Sequence, residues 1–288
     1  MDHASDKCGG DGGNNKRYQQ LNIILACARV AIGRKRGDQH IQRMYFQCDP
    51  LLDPTTVSDA EIWDKLQAGI DAQGRLTALH MRISGQSILA GVAPQNIRDG
   101  KDPVVFQGLN NGGGEAMFGY AVPNLLIDHA MRNPHVPPGF WRGVNLNQNA
   151  IYVESFIDEI AFETRQDPLA LRRKLLANSP KHLAVLNAVA ERAGWGKPAP
   201  DVDGRKVHRG LAQIMGFGSY VAACAEVSVS PDGELKIHRI VAATDPGHAV
   251  NPQQIAAQVE GSFAYGLSAA LFGACTVKDG RIEQSNFS

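Results

Sequence analysis

Residues 153–176, VESFIDEIAFETRQDPLALRRKLL, carry the clearest secondary-structure signal in the sequence. Apolar residues in their first part recur at the i, i+3 and i+4 spacing of an amphipathic helix, whereas acidic residues such as Glu154 fall elsewhere around it. Asp167 and Pro168 then form the N-cap and first-turn pair that starts a second helix, which runs through Leu176. The stretch therefore predicts two consecutive helices, and the apolar side of the first consists of Val153, Phe156, Ile157, Ile160, Ala161 and Thr164.

Two more helices are predicted further along the chain. Residues 179–180, Ser-Pro, start a third helix that stops at Gly194. Residues 251–252, Asn-Pro, start a fourth, in which Gly261 and Gly266 each cost about 1 kcal/mol relative to alanine. The two glycines predict close packing against another backbone or a ligand. The apolar side of this helix presents Ile255, Val259, Phe263, Leu267 and Leu271, and the other side presents Gln254, Gln258, Gly261, Tyr265 and Ser268.

Alternating apolar residues on either side of turn sequences predict β-hairpins. The first spans residues 66–83 around a turn at 71–74, the second spans residues 227–241, and a third surrounds residues 278–281. Residues 85–140 are rich in Gly, Pro and Asn, which predicts long loops with short elements. The fold class is therefore predicted to be α+β, with hairpins and mixed sheets packed against helices.

The composition excludes several classes of protein. The 288 residues contain 29 Lys and Arg against 29 Asp and Glu, so no basic surface for nucleic acid is indicated. No apolar run approaches the ~18 residues of a membrane span. The polar start does not resemble a signal peptide, which leaves the compartment open between cytoplasm and periplasm. Five scattered cysteines form no CxxC pair, so neither a disulfide framework nor a zinc or iron–sulfur site is expected.

The chain is predicted to divide at about residue 57. Residues 1–57 read as an irregular segment, and the glycine-rich stretch at residues 8–15 fits a flexible N-terminus better than a phosphate loop, because no strand precedes it. Residues 58–288 carry the ordered pattern of helices and hairpins.

A resemblance to a known family rests on several motifs in this second segment. Residues 138–145, PGFWRGVN, are followed by residues 147–149, NQN, and the helix-forming stretch. The chain resembles the molybdopterin-binding large subunit of the xanthine dehydrogenase/aldehyde oxidase family, and within it the isoquinoline 1-oxidoreductase beta-subunit type. The resemblance covers residues 58–288, and the further matching stretches lie in the same order at residues 69–86, 120–133, 210–229 and 245–261.

The resemblance implies that Arg142, Gly143 and Gln258 contact the cofactor. The planar guanidinium of Arg142 would suit phosphate or oxo groups, but a surface arginine stacked on Trp141 or paired with an aspartate is the alternative. For Gln258, its position on the polar side of the predicted helix by itself indicates only a solvent-exposed glutamine. Weaker candidates are a shuttle or ligand at His248, a carboxylate pair formed by Asp245 and Glu260, and Cys224 and Cys275, which are expected to be buried apolar residues.

The resemblance also implies a reaction and partners. Such enzymes hydroxylate an N-heterocycle or aldehyde with water as the oxygen source, at a molybdenum-molybdopterin cofactor expected here in its cytosine dinucleotide form. The 2Fe–2S clusters lie on a small iron–sulfur subunit. A purine substrate is disfavoured because Val144 stands where purine-oxidising members have an aromatic residue.

The sequence also departs from the family. Its large subunits are much longer, and the glutamate that acts as their base matches none of Glu226, Glu260 and Glu283. No catalytic residue and no metal ligand is therefore assigned in this chain. The expectation is a partial molybdopterin-binding domain that is active only with the missing portions of the large subunit; the alternative is a truncated, non-catalytic product.

Overall fold

The computed structural model describes residues 40–49, 60–110, 118–133, 139–140, 142–272, 277–279 and 281–283. Helices and open sheets alternate along these residues, which confirms the predicted α+β class. No helix among them is long and apolar enough to cross a membrane.

The first sheet has four strands in the order β1-β2-β3-β4. Strands β1 (His40–Asp49), β2 (Ala60–Ile70) and β3 (Leu76–Gly85) pair antiparallel, and β4 (Asn124–Met131) lies parallel to β3. The β2–β3 turn confirms the first predicted hairpin, and its Asp71 carboxylate accepts from the N–H groups of Gln73 and Arg75.

Strand β1 falls inside the segment predicted to be irregular, residues 1–57, and pairs with β2 of the segment that follows. The remainder of residues 1–57, including the glycine-rich stretch, lies outside the described residues. The division of the chain near residue 57 stays a prediction.

The region between β3 and the central helices consists of loops with short elements, as predicted. It holds helix α1 (Ile88–Val92), two short 3-10 turns and strand β4. The fully buried carboxylate of Asp102 organises the first part, because it accepts from the Ser87 hydroxyl at 2.6 Å and from the N–H groups of Leu89 and Val104. Side-chain hydrogen bonds of this kind hold the short elements in place, so the region needs no regular spacing of apolar residues from which its structure could be predicted.

The central helices are α2 (Leu146–Glu163), α3 (Pro168–Leu175) and α4 (Pro180–Ala193). The caps of α3 and the left-handed stop of α4 at Gly194 are as predicted. Ser179 is different, since its hydroxyl donates to the Gly119 carbonyl rather than capping α4. Helix α2 begins at Leu146, seven residues before Val153. Its first turn contains polar residues whose side chains donate to loop carbonyls.

A second sheet consists of three antiparallel strands, β5 (His208–Gly216), β6 (Ser219–Val229) and β7 (Leu235–Asp245), with α4 packed on one face. The second predicted hairpin is β6–β7, and the third is β8 (Val277–Lys278) with β9 (Arg281–Ile282). Cys224 on β6 is fully buried, as predicted, and burial raises the pKa of its thiol to about 11.

Helix α5 (Pro252–Leu271) starts at the predicted cap, where the Asn251 side chain accepts from two helical N–H groups. Its buried residues are at its C-terminal end, where Ala270 packs with Val227 of β6. No atom of the described residues lies within 4 Å of a Cβ built at Gly261 or Gly266, so the predicted close packing against another backbone is not found there. The alternative, packing against a ligand, stays a prediction.

The core of the described residues contains a buried ion cluster that no sequence pattern indicated. Glu154, which falls away from the predicted apolar side of its helix, is only 4% exposed, and its partner Arg172 is fully buried. Arg172 Nε donates to Glu154 Oε2 at 2.9 Å and Nη2 donates to the Glu154 carbonyl at 2.9 Å, while Nη1 binds Asp158. Burial alone would lower the pKa of Arg172, but the carboxylates of Asp158 and Glu154 outweigh it and raise that pKa well above its usual value.

Replacement of Arg172 by leucine is expected to lower the free energy of unfolding by about 3–5 kcal/mol, because it leaves two buried carboxylates without their cation. Urea denaturation followed by circular dichroism measures the loss. The matched control is Arg173→Leu on the same helix, whose partner Asn187 is at the surface and whose loss should cost within about 0.5 kcal/mol. Equal stability of the two variants would contradict the central role of this ion cluster.

Candidate cofactor-binding site

Arg142 begins a tight turn that leads directly into α2. The Leu146 N–H donates to the Gly143 carbonyl at 3.0 Å, and Gly143 has a φ of +85°, in the left-handed region that favours glycine. Val144 also has a positive φ, of +52°, which is strained for a β-branched residue. Such strain is stored where the surrounding contacts hold the backbone firmly.

Asn147 closes this turn from the first turn of α2. Its side-chain Nδ2 donates to the Arg142 carbonyl at 2.5 Å. Its Oδ1 lies directly under Gly143, where a Cβ would overlap it. Gly143 is therefore required twice, by its backbone conformation and by its contact with Asn147.

The start of α2 is anchored to both neighbouring parts of the fold. Leu146 packs so closely on Gly216 at the end of β5 that a Cβ there would overlap its side chain. Asn149 Nδ2 donates to the carbonyls of Val105 and Gln107, each at 2.8 Å. Polar residues that resemble a loop in the sequence thus form the first turn of a helix, because their side chains satisfy neighbouring backbone groups.

The Arg142 side chain is exposed and lies over an aromatic ring. Its guanidinium carbon is 4.8 Å from the centroid of Tyr265 on α5, which is within cation–π range. No carboxylate among the described residues pairs with Arg142, which argues against the alternative of a surface ion pair; Trp141 lies outside those residues. Sequence analysis placed Tyr265 on the polar side of α5 and gave it no role.

Gln258 is exposed on the same helix, seven residues before Tyr265. Seven residues are two turns, so the two side chains share one face and lie about 10 Å apart along the axis. The structure thus brings Arg142 onto the helix face that carries Gln258. The roles of Arg142, Gly143 and Gln258 in cofactor binding stay predictions.

The weaker candidates have ordinary local surroundings. Asp245 accepts from the Gly247 N–H within its own turn, and His248 and Glu260 are exposed. Glu226 is paired with Arg209 at 2.9 Å. Within the described ranges, no group of three His, Cys, Asp or Glu residues could hold a metal ion. Cys275 lies outside those ranges.

A small cavity of about 10 Å³, roughly the space that one water needs, lies beside His182. His182 is 1% exposed, its Nδ1 lies 2.5 Å from Gln213 Oε1, and its Nε2 has no partner among the described residues. Gln213 Nε2 faces Glu154, so Nδ1 is assigned as the donor. Burial lowers the pKa of His182, although Gln213 and Glu154 oppose this shift. No sequence pattern indicated this residue.

Comparison with known proteins identifies the family. The model of a molybdopterin cofactor-binding domain matches residues 179–288, which include Gln258 and begin after Arg142. The beta chain of isoquinoline 1-oxidoreductase from Brevundimonas diminuta is 31% identical over 223 residues. The chain belongs to the molybdopterin-binding xanthine dehydrogenase/aldehyde oxidase family.

The match covers 76% of the chain and 28% of the Brevundimonas protein. One of the subunits of nicotinate dehydrogenase from Pseudomonas putida is 28% identical over 72% of the chain and 18% of its own length. The chain thus spans less than a third of the length of these relatives, 28% of the first and 18% of the second. An aldehyde oxidoreductase from Desulfovibrio gigas is also similar, at 18% identity and a TM-score of 0.34 over 62% of the chain and 21% of the other.

Gly143→Ala is expected to destabilise the chain by about 1–3 kcal/mol, because the new Cβ is strained at a positive φ and displaces Asn147. Gly266→Ala is the control of opposite sign, since it fills open space in a helix and should stabilise by about 0.5–1 kcal/mol. Thermal unfolding measures both changes. A stabilising effect of Gly143→Ala would show that this turn does not need glycine.

Acid should destabilise the chain through His182. Its pKa in the folded state lies below the unfolded value of about 6.5, so the unfolded state takes up the proton first. The stability that neutral His182 contributes is present above pH 6.5 and is lost as the pH falls through the folded pKa. Urea unfolding of wild type and His182→Gln at several pH values should give a steeper loss below pH 6.5 in wild type.

The difference between the two profiles is the quantity to compare. Burial raises the pKa of Asp158 to about 6, which changes stability in the opposite direction, because the folded state then binds the proton first. Both proteins contain Asp158, so subtraction removes its contribution. Parallel profiles would rule out His182 as the source of acid sensitivity.

Proposed function

We propose that this chain is the cofactor-binding portion of a molybdenum hydroxylase large subunit, and that Arg142, Gly143 and Gln258 contact the molybdopterin cofactor. The observation that supports this most is the placement of the Arg142 guanidinium, exposed and without a paired carboxylate among the described residues, over Tyr265 on the face of α5 that carries Gln258.

The residues present suit such a group. Molybdopterin is anionic and rich in hydrogen-bonding groups, and it requires donors arranged along its length. Arg142 offers a planar set of N–H donors, and Gln258 offers an amide that both donates and accepts. Gly143 allows the backbone to approach closely because it has no side chain. The metal is held by the cofactor itself, so this portion of the chain does not require a cluster of protein ligands.

When bound, the cofactor supplies the redox chemistry of a hydroxylation in which water is the oxygen source. The protein contributes position and hydrogen bonds. Arg142 neutralises negative charge on the cofactor, and Gln258 orients it from the helix face. We propose the cytosine dinucleotide form, and electron transfer through 2Fe–2S clusters on a small partner subunit.

The substrate is proposed to be an N-heterocycle, because two relatives are named for isoquinoline and nicotinate, or an aldehyde, because a third is named as an aldehyde dehydrogenase. We assign no general base to this chain. Glu226 is held by Arg209 in a strand, and Glu260 lies on the exposed surface of α5. Turnover is therefore proposed to require segments of the large subunit in addition to those found in this chain.

The test is anaerobic titration of the full chain with molybdopterin cofactor released from a purified molybdenum enzyme, followed by tryptophan fluorescence. Arg142→Lys keeps the charge but loses the planar donors, and it should weaken binding about tenfold or more. Arg132→Lys is the control, because Arg132 is exposed and its side chain bonds only to the adjacent Met131 carbonyl among the described residues. Equal affinity of wild type and Arg142→Lys would remove Arg142 from the site.

A further inference from the structure

We infer that Asn147 and Tyr265 are positioning residues that hold Arg142 ready for an anionic group of the cofactor, one at its backbone and the other at its guanidinium. The inference rests on the proposed function and extends it to two residues that neither sequence pattern nor family resemblance assigned a role.

Arg142 needs such support because of its surroundings. An exposed arginine has many rotamers, and fixing it on a ligand costs conformational entropy. No carboxylate among the described residues restrains it. Among the described residues, the contacts that restrain it are the hydrogen bond from Asn147 to its carbonyl and the ring of Tyr265 under its guanidinium.

Asn147 acts at the backbone. Asparagine is a poor helix residue, and its position in the first turn of α2 is explained by what its two side-chain atoms contact. Nδ2 holds the Arg142 carbonyl at 2.5 Å, and Oδ1 packs under Gly143. Leu146, at the same end of the helix, packs on Gly216 of strand β5. The backbone of Arg142 is therefore connected to β5 through Asn147 and Leu146.

Tyr265 acts at the other end of the side chain. A guanidinium held over a ring face keeps its N–H donors for a ligand, whereas a carboxylate partner would occupy them. The contact also joins the Arg142 turn to α5, which is buried only near its C-terminal end. Two elements that bear predicted cofactor contacts are thereby held in one arrangement before the cofactor arrives.

The test combines cofactor affinity with a measurement on the cofactor-free chain. In the titration with released molybdopterin cofactor, Asn147→Ala and Tyr265→Leu should each weaken binding about threefold to tenfold, and Tyr265→Phe should restore affinity because it keeps the ring. Combined with Arg142→Ala, neither change should weaken binding further, since both act through Arg142.

Nuclear magnetic resonance of the Arg142 Nε–H group supplies the second measurement. The Tyr265 ring should shift this signal and restrict its motion in the free chain. Both effects should be lost in Tyr265→Leu, and the restriction should weaken in Asn147→Ala.

Two matched controls separate positioning from folding. Phe263→Leu changes an aromatic residue on the opposite, apolar side of α5, and Asn187→Ala changes an asparagine on α4 that binds Arg173. Both should leave cofactor affinity unchanged, and thermal unfolding verifies that every variant is folded.

The outcomes distinguish the two proposals. Affinity that depends on Arg142 but not on Asn147 or Tyr265, or losses that add to that of Arg142→Ala, would overturn the positioning roles alone. A wild-type chain that does not bind the cofactor would overturn the proposed function and this inference with it.

Discussion

The buried interaction between Glu154 and Arg172 is the constraint on which the arrangement of the central elements depends. Glu154 on α2 accepts from Arg172 of α3, from the Tyr120 hydroxyl at 2.6 Å and from the Gln213 N–H of β5 at 3.1 Å. A carboxylate this deeply buried is tolerated only if its lone pairs are satisfied. Two helices, one strand and the loop before β4 must therefore meet at one point.

This point also determines where the candidate site lies. Glu154 is in the same continuous helix as Asn147, so the first turn of α2 cannot shift without displacing the buried ion cluster. Leu146 adds a second anchor on Gly216. An exposed loop arginine consequently starts from a firmly held backbone. The other side of the site, helix α5, is held less firmly. Its buried residues lie only near its C-terminal end, and its contact with Arg142 is made through Tyr265, before that end.

Much of the fold could be predicted because helix caps, turns and apolar spacing depend only on residues that are close together in the sequence. Asp167 and Asn251 cap the helices that follow them, Asp71 turns the first hairpin, and the apolar spacing of residues 153–161 marks a buried helix face. Strand β4, the start of α2 and the burial of Glu154 could not be predicted. Each depends on a partner far along the chain. The carbonyls of Val105 and Gln107, for example, accept from Asn149 and so stabilise a helical start in a sequence that resembles a loop.

The sequence by itself determined the fold class, most of the helices and hairpins, the family, and the choice of Arg142 and Gln258 as candidate contacts, because these rest on short-range patterns and ordered motifs. The tertiary structure decided what those residues are next to. Arg142 and Tyr265 are more than a hundred positions apart, and their 4.8 Å contact exists because the α2 turn and α5 meet in space. No periodicity encodes such a meeting, since it follows from long-range packing around the buried ion cluster and the second sheet.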